Sequence, residues 1–231
     1  MHKVAYGTED IEFKVAFSDR KTLEISVLPD ATVEVVAPQE ANLERIKQKV
    51  LKRGYWILEQ KRFFMSLHPY EAEKEYVNGE THFYIGRRYR LKIIEGSASS
   101  VKLKGKFIEV ITPDKEKTSK IKQQLHNWYK LQAKRRFEER LKVNYNKIKV
   151  EGIAFPKLTI RVLHKRWGSC TKHGITLNLN LIKAPVYCID YVIMHELCHL
   201  KVPNHSPAFY RLKEKYMVDW KERKLVLEGV R

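Results

Sequence analysis

The chain is 231 residues long, with 43% hydrophobic and 11% aromatic side chains, enough apolar material for one or two packed domains and too much for a disordered polymer. Its 45 lysines and arginines stand against 27 aspartates and glutamates, a formal charge of +18 that favours an anionic partner without naming one. Three cysteines, Cys170, Cys188 and Cys198, exclude a disulfide framework; no apolar run approaches a membrane span, and Glu9 and Asp10 interrupt any signal-like start, so a soluble, cytoplasmic protein with no membrane partner is expected.

Residues 11–17 and 22–28 alternate apolar and polar side chains (Ile11, Phe13, Val15, Phe17; Leu23, Ile25, Val27), which predicts two strands joined as a hairpin across 18–21. After Pro29-Asp30 a third short strand is expected at 33–36. Pro38 then introduces a helix carrying Leu43, Ile46, Val50, Ile57 and Leu58 and ending near Met65. Asn78-Gly79 predicts a hairpin turn, because both central positions of such a turn favour positive φ. Four further alternating runs, 82–85, 89–94, 101–103 and 107–111, are separated by Gly86, Gly96 and Gly105 and predict a small antiparallel sheet. No internal repeat or low-complexity linker is read along the chain.

From Asp114 to Lys149 there is neither Gly nor Pro, and Ile121, Leu125, Trp128, Phe137, Leu141, Tyr145 and Ile148 keep mostly helical spacing, predicting one long helix or two in series. Its 12 basic against 4 acidic residues fit either a solvated face or contact with phosphates or an acidic protein. Pro156 opens a strand at 158–163, residues 166–170 form a Gly-containing turn, and Ile175, Leu177, Leu179 and Leu181 form a second strand. Ala184-Pro185 starts a helix reaching about Leu200, since a first-turn N–H lacks a partner anyway. A last helical stretch begins at Ser206-Pro207. The expected class is α+β, with a β-rich N-terminal region over 1–112 and a functional half over 113–231 that holds the long basic helix and an active-site helix.

The chemistry lies in His195-Glu196-Leu197-Cys198-His199. A helix advances about 100° per residue, so both imidazoles leave one face a turn apart and can share one metal, while Glu196 lies about 100° around, placed to act on water as a general base. A catalytic zinc needs a third protein ligand. His205, after the break at Pro203-Asn204, is the first candidate and Glu214 the competitor. The bland reading makes these ordinary polar positions, but Val192, Ile193, Met194, Leu197 and Leu200 would bury the helix and make unpaired polar groups costly. Weaker candidates surround the motif. Arg166 and Ser169 could hold an oxyanion, or their turn could simply rest on a packed Trp167. Tyr191 lies one turn before His195 and either reaches a transition-state oxygen or packs. Asn178 or Asp190 could orient a ligand histidine. The run 175–181 is either an edge strand for an extended peptide or core. Cys198 points away from the metal face, Cys170 is an unproven fourth ligand, and both are treated as structural.

Taken together, Arg166-Trp167-Gly168-Ser169-Cys170, Leu177-Asn178-Leu179, Tyr191, the His195–His199 segment and Asn204-His205-Ser206-Pro207-Ala208-Phe209 resemble the YgjP-like metallohydrolase family, itself similar to SprT-like and WLM zinc-peptidase domains. The resemblance is sharp from Arg166 to Phe209 and weaker over the N-terminal part. It implies a zincin-like metallohydrolase domain with Zn2+ on His195, His199 and His205, Glu196 as the catalytic residue, and a metallopeptidase activity. Two alternatives keep the metal. A basic pocket beside a Lewis acid would suit a nucleoside triphosphate pyrophosphatase, although no Gly-rich phosphate loop is present. SprT-like and WLM relatives act on proteins bound to DNA, and the charge would suit a protease of nucleic-acid-bound proteins, although no zinc finger or helix-turn-helix pattern is visible. The expected partners are a peptide or nucleotide substrate and nucleic acid through the basic surface.

Overall fold

The computed structural model describes residues 1–7, 9–20, 22–28, 31–66, 74–163, 166–172 and 174–228, and the side chains of all of these but 63–66. The chain divides between residues 72 and 73 into two units, each with its own hydrophobic core.

In the first unit, alternating residues build β1 (His2–Tyr6), β2 (Glu9–Ser18), β3 (Glu24–Val27) and β4 (Val33–Pro38), in the order β1-β2-β4-β3. Val33, Val35 and Ala37 of β4 are all buried, and this most apolar strand takes a central place, parallel to β2 and antiparallel to β3. The expected hairpin between 11–17 and 22–28 therefore does not form, because β3 pairs with β4 instead. The expected break at Pro29-Asp30, like Lys21, lies outside the described residues. Helix α1 (Leu43–Lys52), capped by Asn42, which accepts from the Glu44 N–H at 2.9 Å, packs Ile46 and Val50 into the core. Helix α2 (Gly54–Ser66) adds Ile57 and Leu58.

The second unit begins with β5 (Thr81–Tyr84), β6 (Arg87–Glu95), β7 (Ser100–Lys104) and β8 (Phe107–Thr112), ordered β5-β6-β8-β7. β6 and β8 run parallel, so the sheet is mixed rather than antiparallel: the loop at 96–99 carries the chain past one strand position, and β7 closes on the far side of β8. The two-residue hairpin lies at Ile85-Gly86, both at positive φ (50° and 73°). Asn78-Gly79 is a turn, but it precedes the first strand of this sheet, and Asn78 Oδ1 accepts from the Ile93 N–H at 2.6 Å.

The two four-stranded sheets share order, strand direction and register. Phe13–Val33 and Val15–Val35 in the first correspond to Leu91–Ile108 and Ile93–Val110 in the second, and Val27–Val33 and Ile25–Val35 to Leu103–Ile108 and Val101–Val110. At one constant offset, Glu34-Val35, Pro38 and Ile46-Lys47-Gln48 match Glu109-Val110, Pro113 and Ile121-Lys122-Gln123. The chain thus contains a repeat, against the sequence expectation. Its identities are scattered over strand and helix positions, so they form no continuous run.

Helix α3 (Thr118–Ile148) is a single helix, whose Ile121, Leu125, Trp128 and Tyr129 share a core with the second sheet and whose Phe137, Leu141 and Ile148 belong to that same core. The boundary expected at 112/113 falls inside this unit, because strands and helix bury one common core. A third sheet follows: β9 (Leu158–Arg161), β10 (Gly168–Thr171) and β11 (Gly174–Asn178), ordered β10-β11-β9. Two local expectations change here. The segment expected as a turn at 166–170 becomes strand β10 from Gly168 onward. The strand expected to reach Leu181 stops at Asn178, whose Oδ1 accepts from the Asn180 N–H and whose Nδ2 donates to the Leu163 and Arg166 carbonyls, starting a 3-10 turn at Leu179–Lys183. Helices α4 (Val186–Lys201), α5 (Pro207–Tyr216) and α6 (Trp220–Glu228) complete the unit. Among the described residues, no helix is long and apolar enough to cross a membrane.

Candidate metal centre

Helix α4 is apolar nearly all round, with Cys188 to Met194 and Glu196 to Cys198 buried, and a helix of that kind belongs inside a core. Three attachments fix it. The β5–β6 hairpin donates the Ile85 and Gly86 N–H groups to the Ile182 and Lys183 carbonyls, each at 2.9 Å. A Cβ on Gly86 would lie 2.8–2.9 Å from Pro185, so only glycine lets the tip approach the start of α4 this closely. From α3, Arg140 donates two 2.7 Å hydrogen bonds to the Asp190 carboxylate, and Asn144 adds a third at 2.8 Å. Asp190 therefore anchors the helix rather than orienting a histidine. Asn178, committed to the backbone turn, does not orient one either.

His195 and His199 emerge one turn apart, and the bend through Pro203-Asn204 returns His205 to them. The three Nε2 atoms stand 3.2, 3.1 and 3.1 Å from one another. Tetrahedral zinc with Zn–N near 2.0–2.1 Å separates its nitrogens by about 3.3–3.4 Å, so the triangle has the size a shared ion needs. Nor does hydrogen bonding account for it, since three neutral imidazoles converging through the same nitrogens lack the protons to satisfy every pair. His199 Nδ1 lies 3.2 Å from the Val202 carbonyl, an arrangement that puts its proton on Nδ1 and leaves the Nε2 lone pair free. Burial holds all three imidazoles below the ordinary histidine range, His195 down to about 3, so they stay neutral at neutral pH. Glu214 lies exposed on α5, outside the cluster.

Glu196 is 5% exposed, and burial raises its carboxyl to about 7 against the opposing charge of Arg166. β10 passes close by: a Cβ on Gly168 would meet Glu196 Oε1 at 2.7 Å and Val192 Cγ1 at 3.0 Å. Arg166 is exposed just before this strand, and Ser169 sits within it opposite Thr176. Tyr191 is buried edge-on to His195, with burial raising its hydroxyl pKa, and occupies a packing position. Burial also raises Cys170 and Cys188 to about 11 and Cys198 to about 12, which keeps all three as thiols.

Phe209 enters the sequence reading only as part of the family resemblance, and Lys213 not at all. Phe209 of α5 is fully buried, stacks on His199 at 4.4 Å between centroids and meets His195 and His205 edge-on, forming a floor for all three rings. Lys213, one turn further, is 1% exposed with its ammonium 3.5 Å from the Trp220 ring centroid and near the rings of Tyr210, Phe209 and Tyr191. Burial lowers it to about 8, and its charge helps keep the three histidines unprotonated. The available signal was position: Lys213 falls midway between buried Phe209 and buried Met217 on the core stripe of α5.

A family model described as YgjP-like, metallopeptidase domain, matches residues 21–229. No curated protein and no solved structure matches the chain.

Proposed function

The chain belongs to the YgjP-like metallopeptidase family, and from that premise we propose that it is a zinc-dependent peptidase of the zincin type, with His195, His199 and His205 holding the ion and Glu196 as general base. The observation that supports this most is the triangle of converging Nε2 atoms with a buried carboxylate on the next residue of the same helix. Zinc held there supplies Lewis acidity, polarising a carbonyl and lowering the pKa of water from 15.7 to about 7. Glu196 takes the proton of the attacking water on a carboxylate oxygen and delivers it to the leaving nitrogen. Its raised pKa suits both transfers at neutral pH, because a group titrating near 7 accepts and releases a proton with little bias. Arg166, exposed beside this carboxyl, favours its ionised form before attack.

The edge strand β10 supports a peptide substrate. Among the described residues it pairs with β11 and ends the three-stranded sheet, a position at which an extended chain can add as a further strand. Gly168 keeps that strand close to Glu196. The edge beside the site is thus β10, and β11, the strand considered from sequence, is central.

Elemental analysis of protein purified without added metal tests the reading. About one zinc per chain is expected in the native protein and in Glu196→Gln, and none in His199→Ala. Hydrolysis of a peptide library should fall at least about a hundredfold in Glu196→Gln. Absence of zinc uptake overturns the proposal. Cleavage of nucleoside triphosphates but no peptides, lost in Glu196→Gln, keeps the centre and changes the substrate.

A further inference from the structure

The outer face of the second sheet is independent of the metal centre. Alternation sends Leu91, Ile93, Ile108 and Val110 inward and the opposite residues of each strand to solvent. On that outer face the register sets out four rows: Phe83 beside Arg88; Thr81, Arg90, Phe107 and Lys104; Lys92, Glu109 and Lys102; and the uncharged row Ile94, Ile111 and Ser100. Arg88 lies over the Phe83 ring at 5.6 Å, and Lys92 and Lys106 over Phe107 at 5.7 and 5.6 Å. Both rings are partly exposed. Glu109 is the one acid in these rows, and it is occupied by Lys92 at 3.2 Å.

The first sheet shows that the fold does not require this face. Its corresponding rows are Ala5 beside Asp10; Lys3 and Glu12, with Thr32 and Leu28 where Phe107 and Lys104 stand; Lys14, Glu34 and Ser26; and Ala16, Val36 and Glu24. They carry no aromatic ring and have mixed charge, with Lys3 paired to Asp10 at 2.8 Å. Matching backbone registers thus present a face of mixed charge without a ring in one unit and a cationic aromatic one in the other.

We propose that the outer face of the β5–β8 sheet binds single-stranded nucleic acid, with Phe83 and Phe107 stacking unpaired bases and Arg88, Arg90, Lys102 and Lys104 holding the phosphates. An open sheet face with partly exposed rings between cations matches the two demands of such a ligand, π-faces for stacking and positive charge along the backbone. An acidic protein would use the charge but leave the rings without partners, and a duplex hides its base faces. The cationic helix α3 supplies charge alone on its exposed side.

Fluorescence anisotropy with a labelled 20-nucleotide oligothymidylate and the full chain tests this at about 0.1 M salt, where specific phosphate contacts survive partial screening. R90E/K104E is expected to weaken binding more than about tenfold, and the matched reversal K130E/K134E on α3 less than about threefold. Phe107→Leu keeps apolar volume and removes the π-face, so affinity should drop about fivefold or more while thermal stability holds; Phe107→Trp should restore it. Equal effects of the two charge reversals overturn the proposal. So do unchanged affinity in Phe107→Leu, or displacement by a duplex or polyglutamate as effective as by unlabelled single strand.

Discussion

The two four-stranded sheets are built on one plan and have diverged on opposite terms inside and out. Their inward positions keep apolar side chains in register: Val33 and Val35 on β4 answer Ile108 and Val110 on β8, and Ile46 and Val50 on α1 answer Ile121 and Leu125 on α3. Their outward positions share the pairs Lys14–Glu34 and Lys92–Glu109 and the aliphatic pairs Ala16–Val36 and Ile94–Ile111, and otherwise differ. Packing fixes the first set, since a slip of one residue would turn the whole apolar face to water. The outward set has no such constraint and is free to diverge. The copies also end differently: α1 stops at Lys52, whereas α3 runs to Ile148 and reaches Asp190 on the metal helix through Arg140 and Asn144.

Matched substitutions sharpen that contrast. The largest effect is expected from Ile121→Ala, at about 2–5 kcal/mol of stability in the second unit, seen as a lowered unfolding midpoint together with reduced zinc retention. Ile46→Ala removes the same fully buried side chain from the first core. It should cost the first unit a similar amount while leaving zinc stoichiometry intact. Loss of zinc in Ile46→Ala would show that the two cores do not act separately.

Next in size is Asp190→Ala, which strips the carboxylate from a largely buried Arg140 and should cost about 3 kcal/mol in urea unfolding. Its counterpart is Asp10→Ala in the first sheet. That residue pairs with Lys3 across a surface where both side chains are half exposed, and its removal should not move the midpoint measurably.

Much of the histidine cluster was legible because a helix imposes its own geometry. Two histidines four residues apart share a face, and Pro203-Asn204 supplies the bend that brings His205 back. Strand partners were less legible, since alternation reveals which face is buried but not which strand lies alongside. The first hairpin and the antiparallel second sheet both changed for this reason. The repeat escaped because its matching residues fall in runs of at most three, separated by positions that differ. Lys213 escaped because charge marks a lysine as surface until the surrounding rings of Tyr191, Tyr210 and Trp220 are placed in space.

The smallest contrast concerns the two hairpin tips. Gly7 and Gly86 both sit at positive φ, Gly7 following Tyr6 of the strand pair Tyr6–Glu9 and Gly86 preceding Arg87 of the pair Tyr84–Arg87. A Cβ on Gly7 meets nothing within 4 Å, so Gly7→Ala should cost only the left-handed backbone strain, about 1 kcal/mol. A Cβ on Gly86 collides with Pro185 backbone and ring, so Gly86→Ala should add about 1–3 kcal/mol of overpacking. More telling than the stability is where the strain goes. Pro185 begins α4, and any displacement there passes along a rigid helix to His195 and Glu196. Peptide hydrolysis should therefore fall in Gly86→Ala and stay native in Gly7→Ala, measured on zinc-loaded protein at a temperature where both are folded. Equal activity in the two variants would mean that the second sheet braces the metal helix without setting its position.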